Sequence, residues 1–219
     1  MTLPEKAKRA AILDAAMKLF SQYGYRRTSI DDIAREAEIA KGTVYLSFKS
    51  KEEIFRALCE SLIERTEAAV KVALETVGPI DERLIAMLEA KFGFFFETVY
   101  RSAHAAELMD SKNRLSADLF AQSGRRYMKV LREMIEEATG AGELELSRMK
   151  LDANDLAEML VAAAHGIESN ATSPARYHRR LREIVRVIVA GLSAPRGGAR
   201  AEQHPHLPTA ERSASSPVK

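Results

Sequence analysis

The stretch Thr28–Lys51 reads TSIDDIAREAEIAKGTVYLSFKSK. Two short helical patterns stand back to back in it. In the first, Ile30, Ile33, Ala34 and Ala37 recur at i, i+3, i+4 and i+7, which is one apolar helix face. In the second, Val44 and Phe48 are four apart, leaving Lys41, Thr43, Tyr45 and Ser47 to point elsewhere. No room for a long loop separates them. A short helix, a tight turn and a second short helix that opens on polar and basic residues are the parts of a helix-turn-helix reader. Arg26 and Arg27 precede the unit and Lys49 and Lys51 follow it, positions suited to phosphates. Gly42 carries no side chain and permits close backbone approach.

The rest of the chain bounds this reading. Its 219 residues suffice for a real core, and 46% hydrophobic content marks a globular protein. With 29% charged residues the formal net charge is only +2, which excludes a non-specific polycation. The one cysteine, Cys59, permits no disulfide within the chain and fits a reducing, cytoplasmic setting. No stretch approaches the length of a membrane span, and charges interrupt the N-terminus where a secretory segment would be apolar. With no strand-period segment, the expected class is all-α.

Helix 1 is expected from about Pro4 to Tyr23, with Gly24 as its C-terminal cap. Thr28 or Ser29 starts helix 2, and helix 3 covers Lys41 to Ser47. Ser50 and Glu53 form a capping box opening a long helix 4 that Gly78-Pro79 ends. Leu84 to Val99 marks helix 5, Leu108 and Met109 a short helix, and Leu115 to Ala138 a long one. Leu156 to Ile167 and Tyr177 to Leu192 define the last two. The expected organisation is a DNA-binding domain over residues 1–50, a helical ligand-binding and dimerisation domain over 51–193, and a disordered tail over 194–219, rich in Pro, Gly, Ser and Arg.

These residues resemble the N-terminal domain of the TetR family of transcriptional regulators. The resemblance rests on Phe20, Tyr23-Gly24, Thr28-Ser29-Ile30, Ile33-Ala34, Ala37, Ile39, Lys41-Gly42-Thr43-Val44-Tyr45, Phe48 and Ser50-Lys51-Glu52-Glu53-Ile54, over roughly residues 8 to 56. It implies a homodimeric, ligand-responsive DNA binder, most simply a repressor on a palindromic double-stranded operator. It also implies that Thr28 contacts phosphate, that Lys41, Gly42 and Thr43 face the major groove, that Tyr45 meets the backbone and that Lys51 holds a phosphate. Ser29 and Ser47 complete the expected DNA-binding set. Two departures stand out. Glu38 occupies the turn position where the family usually has Gly, which would require a positive φ, and Ala40, where Ser is frequent, cannot cap helix 3.

Over a hundred further residues exceed what a DNA reader needs and are expected to bind a small, largely apolar effector. The candidates are Met87, Phe92, Phe95, Phe96, Tyr100, Met109, Met128 and His165. Two readings of Glu168 stand: partner of a cationic ligand, or a solvated helix residue. Leu160, Ala163, Ala164, Ile184, Ile188 and Leu192 are expected at a two-fold, four-helix dimer interface. The histidines and Cys59 show no metal spacing, and no nucleophile elbow, P-loop or dinucleotide turn occurs, so neither cofactor nor enzymatic activity is expected. A protein of the same shape that binds small molecules but no longer reads DNA is the alternative, motivated by Glu38 and Ala40.

Overall fold

A computed structural model describes residues 5–93, 96–97 and 102–193. Phe95 and Tyr100, two of the effector candidates, and the tail beyond Ser193 lie outside the described residues. Helix α1 (Glu5–Tyr23) is followed by α2 (Ile30–Glu36), α3 (Lys41–Ser47), α4 (Lys51–Ala73) and α5 (Ile80–Leu88). Then come α6 (Ala105–Gly140), α7 (Ala153–Asn170) and α8 (Pro174–Leu192), and the described residues contain no strand. Helix 4 therefore stops before the expected Gly78-Pro79 break. The expected helix 5 is interrupted: a π-helical turn, Glu89–Gly93, follows α5.

Local chemistry accounts for the ends. Gly24 terminates α1 at φ 86°, its N–H donating to the Phe20 carbonyl at 3.0 Å. Ser29 is the N-cap of α2 in a full capping box: its hydroxyl accepts from the Asp32 N–H, and the Asp32 carboxylate accepts from the Ser29 N–H at 3.0 Å. At α4 the box is only half formed. Ser50 accepts from Glu53 N–H, but the Glu53 carboxylate reaches back one residue further, to Lys49 N–H at 2.7 Å. Glu38 does adopt positive φ, 55°, and Ala40 caps α3 without any side-chain bond.

The two helices expected around Leu108 and Leu115–Ala138 are joined. Helix α6 runs through both, with non-helical dihedrals at Ser116 (φ −144°, ψ 18°). Arg56 of α4 braces this kink, donating to the Leu115 carbonyl at 3.1 Å and bidentately to Asp118 at 2.9 and 2.6 Å. That pairing holds the Asp118 carboxyl well down, at about 2.

Two apolar cores result. The smaller gathers Ile12, Ala16, Phe20, Ile33, Val44 and Phe48 from α1–α3, but also Ile54, Phe55 and Leu58 of α4 and Leu108 of α6. The N-terminal core thus continues beyond residue 50. The larger is built from α5 to α8 around Leu84, Leu131, Ile135, Leu156, Leu160 and Leu181. Relief of the left-handed strain in Glu38→Gly should stabilise the protein by about 0.5–1 kcal/mol. A cap supplied by Ala40→Ser should add about 1 kcal/mol. Urea unfolding midpoints check both.

Candidate nucleic-acid interface and effector cleft

Helix α3 buries Val44 and Phe48 and turns its other side outward. Lys41, Gly42 and Tyr45 are exposed, and Thr43 and Ser47 partly so. Open space surrounds Gly42 where a Cβ would stand. Lys41 Nζ pairs with Asp31 Oδ1 at 2.7 Å, and this hydrogen bond raises the pKa of the ammonium. One residue escaped the sequence reading: Leu46 is 85% exposed on α3. Its signal was a large aliphatic residue off the Val44–Phe48 face. At the N-terminal side, Lys6, Lys8 and Arg9 belong to α1. Arg9 lies over the Phe48 ring, 4.3 Å from its centroid, and donates to the Ser47 carbonyl at 3.4 Å.

Two expected phosphate contacts are placed otherwise. Thr28 is buried, and its hydroxyl donates to the Gly24 carbonyl at 2.8 Å, the bond a helix-terminal carbonyl needs. Lys51 Nζ turns inward, donating to the carbonyls of Tyr25 and Thr28 at 2.9 Å each and of Arg26 at 3.4 Å. It also lies 4.5 Å from the Tyr25 ring centroid. Tyr25, buried with its hydroxyl donating to Glu52 Oε1 at 3.2 Å, completes this grip. Burial pushes the Tyr25 phenol up to about 12. From the other side the Arg26 N–H donates to Glu107 Oε1 of α6 at 2.6 Å, and Ser102 Oγ donates to the Ser21 carbonyl at 2.6 Å. The loop 24–28 is therefore clasped between α4 and α6.

The same two helices wall a cleft. One part, about 370 Å³, is lined by Met17 and Phe20 of α1, Phe55, Leu58 and Leu62 of α4, and Leu108 and Met109 of α6. A second, about 510 Å³, shares Leu62, Met109, Lys112 and Phe120 with the first and adds Lys91, Phe92, His165 and Glu168. Of the effector candidates, Phe92, Met109 and His165 line it. Met87 and Phe96 do not: both are buried in the large core, Phe96 stacked on Tyr177 with centroids 4.7 Å apart. Met128 packs partly buried against that core. Of the two readings of Glu168, the solvated one falls: its carboxylate is buried, with Oε2 3.0 Å from His165 Nδ1. Lys91 and Lys112 went unnoticed. The signal for Lys91 was a charge, one of two with Glu89, within the apolar run from Leu84 to Phe96.

Three of the expected interface residues are internal. Leu160, Ala164 and Leu192 are buried in the larger core, because α7 and α8 turn that phase of their stripes inward. Ala163, Ile184 and Ile188 remain partly exposed. Ala163 and Ile184 border a shallow groove with Gly166 and Ile167, and Val187 of α8 is 72% exposed.

A helix-turn-helix set on a larger helical domain defines a DNA-binding class of protein. Residues 12–58 match the family model of bacterial regulatory proteins, tetR family. The fatty acid metabolism regulator protein of Bacillus subtilis is 37% identical over 148 residues, 64% of this chain and 73% of that relative. The uncharacterized HTH-type transcriptional regulator YhgD of Bacillus subtilis is 28% identical over 130 residues, 59% of this chain and 60% of its own length. The fatty acid degradation regulator FadR of Bacillus halodurans shares the fold, with a TM-score of 0.62 at 19% identity over 88% of this chain and 98% of that one. The chain belongs to the TetR family: it is a DNA-binding transcriptional regulator, not an enzyme. Replacing Lys51 by Met strips donors from three carbonyls and should cost about 1–3 kcal/mol, read by urea unfolding.

Proposed function

We propose that the protein is a homodimeric repressor that binds a palindromic operator and is released by a small, largely apolar effector. The observation that carries this reading is the shared wall. Helices α4 and α6 line the cleft and also clasp the 24–28 loop on which the reader is mounted. An effector between them acts on the reader through packing. It releases DNA to the extent that it prefers a different spacing of the two readers in the dimer. The apolar walls suit an apolar effector, and the relative named for fatty acid metabolism is consistent with that.

In the operator complex, Gly42 and Thr43 at the start of α3 approach base edges, with Lys41 and Ser47 beside them. Tyr45 contacts backbone. Leu46 adds an apolar surface suited to thymine methyl groups. Thr28, Ser29 and Lys51 act indirectly, by holding the loop and the first turn of α2 in place. The open space at Gly42 supports close approach of the duplex.

The dimer forms on the outer face of α7 and α8. Met159, Ala163, Gly166 and Ile167 on α7 and Ile184, Val187 and Ile188 on α8 make a stripe too apolar for solvent, with small residues that let helices approach closely. Two copies related by a two-fold axis cover it as a four-helix interface.

The DNA flanking the protein's own gene is the first target for a gel shift. A shift that weakens steeply with salt is expected, and Tyr45→Ala should reduce affinity about tenfold or more. Absence of any salt-sensitive shift by a folded dimer sinks the repressor reading in favour of a ligand-binding protein that no longer reads DNA. Val187→Asp should yield a folded monomer in light scattering with little operator affinity; an unchanged dimer moves the interface elsewhere.

A further inference from the structure

The cleft is divided chemically. Its inner end, between α1, α4 and the first half of α6, offers Met17, Phe20, Phe55, Leu58 and Leu62 and almost no polar surface. Its outer end carries charges from three elements: Lys91 from the π-helical turn, Lys112 from α6, and Glu168 and His165 from α7. Lys91 Nζ donates to Ser123 Oγ at 3.4 Å and lies 5.4 Å from the Tyr127 ring centroid. Lys112 Nζ sits 4.7 Å from the Phe120 ring centroid. Nearby Glu67 and Arg126 neutralise each other, Nε to Oε1 at 3.1 Å.

The charges do not balance. Glu168 is buried near the C-terminal end of α7, where the helix dipole disfavours an anion, so it needs positive partners. His165 contacts it, and Lys112 lies within its electrostatic reach. That uses one ammonium. The second, Lys91, feels the charge of Lys112. Burial lowers the pKa of both; at Lys91 the charge of Glu67 opposes this, and those of Arg126 and Lys112 add to it. Lys91, Lys112 and Arg126 against Glu67 and Glu168 leave one positive charge in excess at the mouth of an apolar slot.

We propose that the cleft takes an amphipath with one negative charge, a carboxylate on an unbranched hydrocarbon chain. Its head sits between Lys91 and Lys112 and its tail runs past Met109 and Leu62 toward Phe20 and Met17. This rests on the cleft being the effector site and adds the chemistry of the effector. The head group completes the charge balance and supplies acceptors to both lysines. The tail lodges against α1, so chain length sets how hard the ligand presses on the reader domain. Glu168 acts as a filter: it repels a second negative charge and holds Lys112 in position.

Calorimetric titration of the intact protein with dodecanoate, dodecanol and dodecylamine separates the head-group contribution at constant tail. Dodecanoate is expected to bind about tenfold tighter than the other two. Lys91→Met should remove most of that preference by weakening dodecanoate more than dodecanol, and Lys91→Arg should retain it. Equal affinities, no binding by any of the three, tighter binding of dodecylamine, or a preference undiminished by Lys91→Met each overturn the assignment. Operator release is read separately. Dodecanoate that binds as expected but leaves the DNA complex intact overturns the effector reading and not the ligand class. Release by some other compound, with no carboxylate preference, overturns the ligand class alone.

Discussion

The carbonyls of Tyr25, Arg26 and Thr28 emerge from a loop too short to pair them among themselves, and one ammonium, that of Lys51, accepts the task of hydrogen-bonding to them. The orientation of α2 and α3 follows from this, because the loop is their only covalent link to α1. The donor stands in the first turn of α4, whose opposite end packs against the large core. Glu107 and Leu108 of α6 hold the same loop from behind. The reader is thus supported by the two helices that wall the cleft.

That arrangement explains why the cleft reaches into both cores. Phe20 and Phe55 are core residues of the small domain and cleft residues as well, and Phe92 does the same for the large one. Close-packed interiors transmit displacement, whereas a solvent gap between the domains would absorb it. The kink at Ser116 falls between Lys112 and Phe120, both lining residues, and Arg56 ties it to α4. A helix broken there can change the direction of its first half without unfolding the second.

The reader was legible because its determinants are local. Apolar spacing in Ile30–Ala37 and Val44–Phe48, the Ser29 and Ser50 caps and the positive φ of Glu38 each depend on a few neighbouring residues. The cleft depends on convergence of α4, α6, α7 and the π-helical turn, which no periodicity encodes. A lysine in a helix ordinarily faces water, so Lys91 was easily passed over and Lys112 gave no local sign of its place in the cleft. Methionine and phenylalanine were better guides to hydrophobicity than to position, as Met87 and Phe96 show in the core. On α7 and α8 the apolar stripes were visible but not their phase, so Leu160 and Ala164 fell inside and Val187 outside.

Helix α4 has 23 residues and no break. At 1.5 Å per residue it is about 34 Å long. It is therefore a rigid rod whose two ends report to different audiences. A tilt of about 3° around its midpoint, too small to break a single backbone bond, carries each end through about 1 Å. In the proposed two-fold dimer the two rods tilt in opposite senses. The gap between two recognition helices then changes by twice the movement of one, and a fixed ladder of base pairs, which has no matching give, registers the difference.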